Sequence, residues 1–203
     1  MLISAAVNFS WRPDLSDLLW IAALLAAMGL GVATLVVRGW IDKGTRGLPN
    51  FARVTGTLFR GGQPTPAGLR ALQAMGVTTI VNFRDELAET AAEKTQVESL
   101  GIRYVGIPWK GRRGPTNAQV TQFLDVLRTN GQAKIFVHCK RGSDRTGLMV
   151  AAYRVAVEHK PVAEALAEMR QFHYDWLWLP NLQRYIRSLP QLIEKDAQFT
   201  FYR

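Results

Sequence analysis

Residues 135–147 read Ile-Phe-Val-His138-Cys139-Lys140-Arg141-Gly142-Ser143-Asp144-Arg145-Thr146-Gly147, and the stretch holds the chain's only cysteine. A thiolate and an arginine so close together are suited to phosphate. The thiolate attacks phosphorus, while the planar, always charged guanidinium holds two phosphate oxygens at once. The flanking residues dictate how the pair is displayed. Residues 134–137 form a short apolar, β-branched run that predicts a buried strand ending at His138. Beyond Arg145, the residues Leu148, Ala151, Ala152 and Val155 recur at helical spacing, so a helix begins near Arg145. Strand, tight loop and helix N-terminus make an anion cradle: backbone N–H groups turn inward and the helix dipole adds partial positive charge. A cysteine at the start of such a cradle is expected to react as the thiolate. The expected chemistry is covalent phosphoryl transfer, with Lys140, Arg141, Gly142 and Ser143 around the bound phosphate. Gly142 is expected to let the backbone approach that phosphate closely.

The pattern His138-Cys139-x5-Arg145-Thr146-Gly147 resembles the His-Cys-x5-Arg-Ser/Thr signature of the cysteine-dependent phosphatases, the tyrosine and dual-specificity group. The resemblance covers about residues 51–193. Phe59-Arg60-Gly-Gly-Gln-Pro64 and Val81-Asn82-Phe83-Arg84 are similar to the opening elements of a bacterial and fungal dual-specificity-like subgroup. It implies hydrolysis of phosphoric monoesters through a cysteinyl-phosphate. The implied substrates are phosphotyrosine or phosphoprotein, inositol phosphates or anionic phospholipids. By the same resemblance, the Thr146 hydroxyl assists departure of the thiolate and His138 orders the loop from below.

One feature of the family is missing. Its general acid is an Asp on the loop before the nucleophile loop, and the corresponding stretch here, Pro108-Trp-Lys-Gly-Arg-Arg-Gly-Pro-Thr116, has no carboxylate. Asp144 is the first candidate, since it precedes Arg145 within the loop, a placement similar to that in myotubularin-like phosphoinositide phosphatases. Asp85 and Glu86 are second choices, a loop-bracing Asp144 with no dedicated acid is a third reading, and Asp125 is expected to be solvated on a helix. The missing acid also leaves open a second class of function, a catalytically weak or inactive membrane-tethered phosphate-binding module.

The rest of the chain must position these groups. A small strand or hairpin is expected over 53–64, and Thr65 caps a helix from Pro66 to Met75. Strands over 77–83 and 102–107 alternate with helices over 87–100 and from residue 117, and two more helices cover 162–172 and 181–193. This predicts an α/β fold, a mostly parallel central sheet flanked by helices. Ligands gather at the carboxyl ends of such strands. That places Arg84, Lys110, Arg112 and Arg113 beside the loop as substrate-binding residues. Trp176-Leu177-Trp178 reads as a stripe packed into the core, with an interfacial rim as the alternative.

The net charge of +9 invites anionic partners. No aromatic-basic pattern suggests nucleic acid, no His/Cys cluster has metal spacing, and no cofactor is expected. Leu18 to Val37 is twenty residues without a charge, about 30 Å as a helix, with Trp20 and Trp40 near its ends. The expected organisation is a tail (1–17), a transmembrane helix (18–38), a linker (39–50) and a phosphatase domain (51–203). Arg12 precedes the span, whereas Arg38, Lys43, Arg46 and Arg53 follow it, so a single-pass chain with a cytoplasmic catalytic domain is expected.

Overall fold

The computed structural model describes residues 47–203. The strands are β1 (Ala52–Arg53), β2 (Leu58–Gly61), β3 (Val77–Asn82), β4 (Arg103–Gly106) and β5 (Lys134–His138). The helices are α1 (Pro66–Ala74), α2 (Leu87–Ser99), α3 (Asn117–Thr129), α4 (Asp144–Ala156), α5 (Val162–Gln171) and α6 (Pro180–Lys195), followed by a 3-10 turn over Ala197–Tyr202. The strands form one sheet in the order β1-β2-β5-β3-β4. Only β1, the hairpin partner of β2, runs antiparallel, so the sheet is mixed, with a parallel core of four strands.

Alternation along the strands explains the layers, because successive side chains face opposite sides of a sheet. Leu58, Val81, Ile135 and Val137 face the larger core, which α3, α4, α5 and α6 cover with residues such as Phe123, Leu148, Met169 and Ile186. Phe59, Ile80 and Phe136 face the other way, onto Leu69 and Leu72 of α1 and Val97 of α2. Helix starts follow their caps. The Thr65 hydroxyl accepts from the N–H of Gly68 at 3.2 Å, and Thr116 and Gln119 close a reciprocal capping box at α3.

Residues 47–50, linker by composition, are packed. Leu48 is buried in the second core, and the Gly47 carbonyl accepts from the Thr65 N–H at 2.9 Å. The packed unit therefore extends N-terminally of residue 51. The apolar run expected to span a membrane, 18–38, lies outside the described residues; among the described residues no helix is long and apolar enough to cross a membrane.

The register sets up the site. His138, the last residue of β5, lies opposite Gly61 on one side and Asn82 on the other. Three strand ends thus converge where the Cys139 loop begins.

Candidate active site

Residues 139–143 link β5 to α4, which begins at Asp144. The carbonyls of three successive loop residues point at donors outside the loop. Lys140 accepts from the Gln63 N–H at 3.1 Å, Arg141 from Asn50 Nδ2 at 3.3 Å and Gly142 from Arg60 Nη2 at 2.8 Å. A trans peptide directs its C=O and N–H to opposite sides. The N–H groups of Arg141, Gly142 and Ser143 are therefore turned to the concave side, where an anion can collect them.

Gly142 is needed for a different reason from the one its sequence context suggests. Its φ is +75°, and a Cβ there would lie 2.4 Å from the Gly61 carbonyl carbon and 2.6 Å from the Gly62 nitrogen. Gly142 lets the loop seat on the β2 backbone, and Gly62, where a Cβ would lie 3.0 Å from the Arg141 carbonyl carbon, supplies room from the other side.

Cys139 and Arg145 open onto one cavity of about 770 Å³, with Gly111, Arg112, Lys140, Arg141, Asp144, Asp175, Trp178 and Leu179. Arg145 Nη1 donates to Asp85 Oδ1 at 2.6 Å, and its Nη2 lies 3.6 Å from Glu86 Oε1. The guanidinium is thus oriented by the carboxylates after β3. Burial pushes the Glu86 carboxyl up, but its own amide, Arg84 and Arg145 outweigh that and hold it below its usual value. Thr146 is fully buried, and its hydroxyl has no hydrogen-bond partner among the described residues.

Asp144 Oδ1 accepts from the Asp175 N–H at 3.0 Å and Oδ2 from Arg141 Nη2 at 2.7 Å. The Asp144 hydrogen bond raises the Arg141 guanidinium above its ordinary value, as expected of an ion pair. Asp85 and Glu86 face Arg145, and Asp125 lies on α3, bonded to Arg128 and the Tyr202 hydroxyl.

A buried polar network supports the loop from below. His138 Nε2 lies 3.0 Å from Glu93 Oε1, which also accepts from Gln63 Nε2 at 2.7 Å. Glu93 Oε2 accepts from Asn82 Nδ2 at 2.6 Å, and Asn82 Nδ2 also donates to the Tyr104 hydroxyl. Arg84, expected at the substrate, belongs here: Nη1 donates to Gln63 Oε1 at 2.7 Å, and the guanidinium also pairs with Glu86 and Glu89. It is buried and does not line the cavity. Of the basic residues before α3, Arg112 lines the cavity, whereas Lys110 and Arg113 are exposed and do not line it.

Arg60 carries a role that the sequence reading missed. It is fully buried on β2, donates to Gly142 and stacks on Phe172 with 3.8 Å from Cζ to the ring centroid. Burial presses its pKa down to about 10, partly offset by Glu168 and Cys139. It is a cation beneath the nucleophile loop. The available signal was a charge flanked by Leu58-Phe59 and Gly61-Gly62. Glu93, Gln63 and Asp175 were also missed; Glu93 looked like one more surface carboxylate on a polar helix.

Trp176-Leu177-Trp178 corrects the sequence expectation: all three side chains are exposed rather than packed, and Trp178 borders the cavity. Among the described residues no group of three or more His, Cys, Asp or Glu side chains could hold a metal ion.

A cysteine and an arginine facing one cavity from a strand, a tight loop and a helix start form the arrangement of a cysteine-dependent phosphatase. Residues 45–176 match the family described as DSP-PTPase phosphatase fused to NAD+ kinase, and the chain belongs to that family. It is 30% identical over 124 residues to the dual specificity protein phosphatase TpbA of Pseudomonas aeruginosa (strain UCBPP-PA14), covering 60% of this chain and 54% of TpbA. It is 36% identical over 100 residues to the chloroplastic NAD kinase 2 of Arabidopsis thaliana, covering 47% of this chain and 10% of that protein. The chain thus spans about half the length of TpbA and a tenth of the kinase. The crystal structure of P. aeruginosa TpbA superposes with a TM-score of 0.61 at 25% identity, covering 71% of this chain and 88% of that one. The catalytic core of the PP-IP phosphatase SIW14 from S. cerevisiae has the same fold, with a TM-score of 0.60 at 18% identity over 74% of this chain and 95% of that one.

Proposed function

We propose that the chain hydrolyses phosphoric monoesters through a phosphate covalently held on Cys139. The observation that carries this is the loop itself: three carbonyls tied outward, three N–H groups turned inward, and Cys139 and Arg145 on the same cavity. Arg145 and the inward amides hold the equatorial oxygens as charge develops on them. The Cys139 thiolate attacks phosphorus, the P–O bond to the leaving group breaks, and its electron pair stays on the leaving oxygen. That oxygen takes a proton from Asp144. Water then attacks the cysteinyl-phosphate and gives its proton to Asp144. The S–P bond breaks with its electron pair returning to sulfur, which the Thr146 hydroxyl stabilises.

Asp144 suits the acid role because its two oxygens are held differently. Oδ1 is fixed by a backbone amide, whereas Oδ2 is held by the long, exposed Arg141 side chain, which can move to an incoming phosphate. The ion pair also supports a second reading, in which Asp144 only braces the loop.

The substrate range we propose includes phosphotyrosine, because TpbA was also solved in complex with pTyr. Inositol phosphates come from the likeness to a PP-IP phosphatase, and anionic lipid headgroups from the basic residues around the mouth. Residues 18–38 are proposed to tether the domain on the cytoplasmic side of a membrane. Turnover of the purified full chain on a phosphotyrosine peptide, inositol hexakisphosphate and phosphatidic acid tests the activity. Release of phosphate that Cys139→Ser abolishes is expected; binding of these compounds without release would make the chain a phosphate-binding module.

A further inference from the structure

The turn between α5 and α6 displays three consecutive large apolar side chains: Trp176 is 51% exposed, Leu177 66% and Trp178 82%. Single exposed apolar residues are ordinary, but a contiguous group at the rim of a catalytic cavity marks an interaction surface. The turn is also held in place. The Tyr174 hydroxyl donates to the Leu179 carbonyl, the Leu179 N–H to the Asp175 carbonyl at 3.0 Å, and the Asp175 N–H to Asp144 in the nucleophile loop. The ridge is therefore fixed to the loop it borders.

Lining the same cavity are Arg112, Lys140 and Arg141, all exposed. Of the carboxylates there, Asp144 is paired with Arg141, and Asp175 Oδ1 accepts from the Trp178 N–H. A protruding ridge of two tryptophans and a leucine beside three exposed cations is complementary to an anionic bilayer. Tryptophan favours the headgroup level, and each basic residue near the surface is attracted to anionic lipid. A phosphopeptide would be held by the cations, which leaves the exposed apolar ridge without a partner, whereas a bilayer engages both.

We infer that this ridge docks the domain on an anionic phospholipid bilayer with the Cys139 cavity turned to the headgroup plane, and that the substrate is a phosphomonoester headgroup in that plane. The substrate half rests on the phosphatase reading; the docking half does not.

The test uses the full chain in phosphatidylcholine vesicles with and without phosphatidylglycerol. Subtracting the fluorescence of Trp176→Phe/Trp178→Phe from wild type isolates these two tryptophans. Brominated acyl chains should quench that difference signal in the anionic vesicles, and high salt should weaken the quenching. In a second arm, Trp176→Ser/Leu177→Ser should lower the ratio of turnover on vesicle-borne phosphatidic acid to turnover on a soluble aryl phosphate, on the order of tenfold. No quenching, with normal aryl phosphate turnover, overturns the docking and leaves the phosphatase reading intact. Quenching without turnover on either substrate supports the docking and overturns the catalytic reading. An equal loss on a soluble acidic phosphopeptide makes the ridge a peptide-binding surface and overturns the membrane inference.

Discussion

Gly142→Ala tests whether the nucleophile loop takes its shape from the β2 backbone. Two costs can be worked from the geometry. The φ of +75° puts an L-residue in the left-handed region, at about 1–2 kcal/mol. The new Cβ would meet the Gly61 carbonyl carbon at 2.4 Å, its oxygen at 2.6 Å and the Gly62 nitrogen at 2.6 Å. These are backbone atoms that cannot rotate aside, so overpacking adds about 1–3 kcal/mol. A total of roughly 3 kcal/mol lowers Tm on the order of 10 °C for a domain of this size. Relief requires the loop to lift, which breaks the Arg60 and Gln63 bonds that turn its carbonyls outward. A misplacement of about 1 Å at a reacting centre costs on the order of a hundredfold in rate. Gly131→Ala is the control: φ is +55° with nothing within 4 Å, so only the backbone cost applies and turnover stays intact. The assays are calorimetric Tm and kcat/KM on an aryl phosphate. If both variants lose the same few degrees and keep full activity, the seat on Gly61-Gly62 does not shape the loop.

Arg60→Gln removes the cation beneath the loop and its bond to Gly142; alkylation of Cys139 by iodoacetamide at pH 6 should slow several-fold and recover partly in Arg60→Lys. Asp144→Asn should cost about 10²–10⁴-fold on alkyl phosphomonoesters and far less on activated aryl phosphates; equal losses on both would assign Asp144 to bracing. Stability should fall as pH rises from about 10 towards 12, read as the urea midpoint. Burial pushes Tyr104, Tyr174 and Tyr202 up to about 12, so the unfolded chain ionises its phenols first, and proton release then favours unfolding. Burial raises Tyr153 and Tyr185 too, and Arg60, lowered to about 10, opposes that trend as one group against five; a flat midpoint across the window would contradict the burial of these phenols.

The nucleophile loop was legible because its residues are contiguous: the strand, the glycine and the helix start lie within a dozen positions. The alternation of helices and strands was legible for a similar reason, since periodicity and caps such as Thr65 and Thr116 are local signals. The sheet order was not, because the placement of β5 between β2 and β3 depends on long-range pairing. Arg60 and Glu93 were hidden for the same reason: each is a charge whose burial makes sense only beside partners distant in sequence, Gly142 for one and His138 for the other. Trp176-Leu177-Trp178 misled because apolar stripes usually pack inward, whereas this one stands on an exposed turn tied to Asp144 by the Asp175 N–H.

The covalent step is the centre of the account, and rapid acid quench tests it most directly. Full chain mixed with a ³²P-labelled phosphotyrosine peptide and quenched within the first turnover should carry label in the peptide that contains Cys139. Cys139→Ser should carry none and release no phosphate. Near-normal phosphate release by Cys139→Ser, or label on another residue of the wild type, would contradict it.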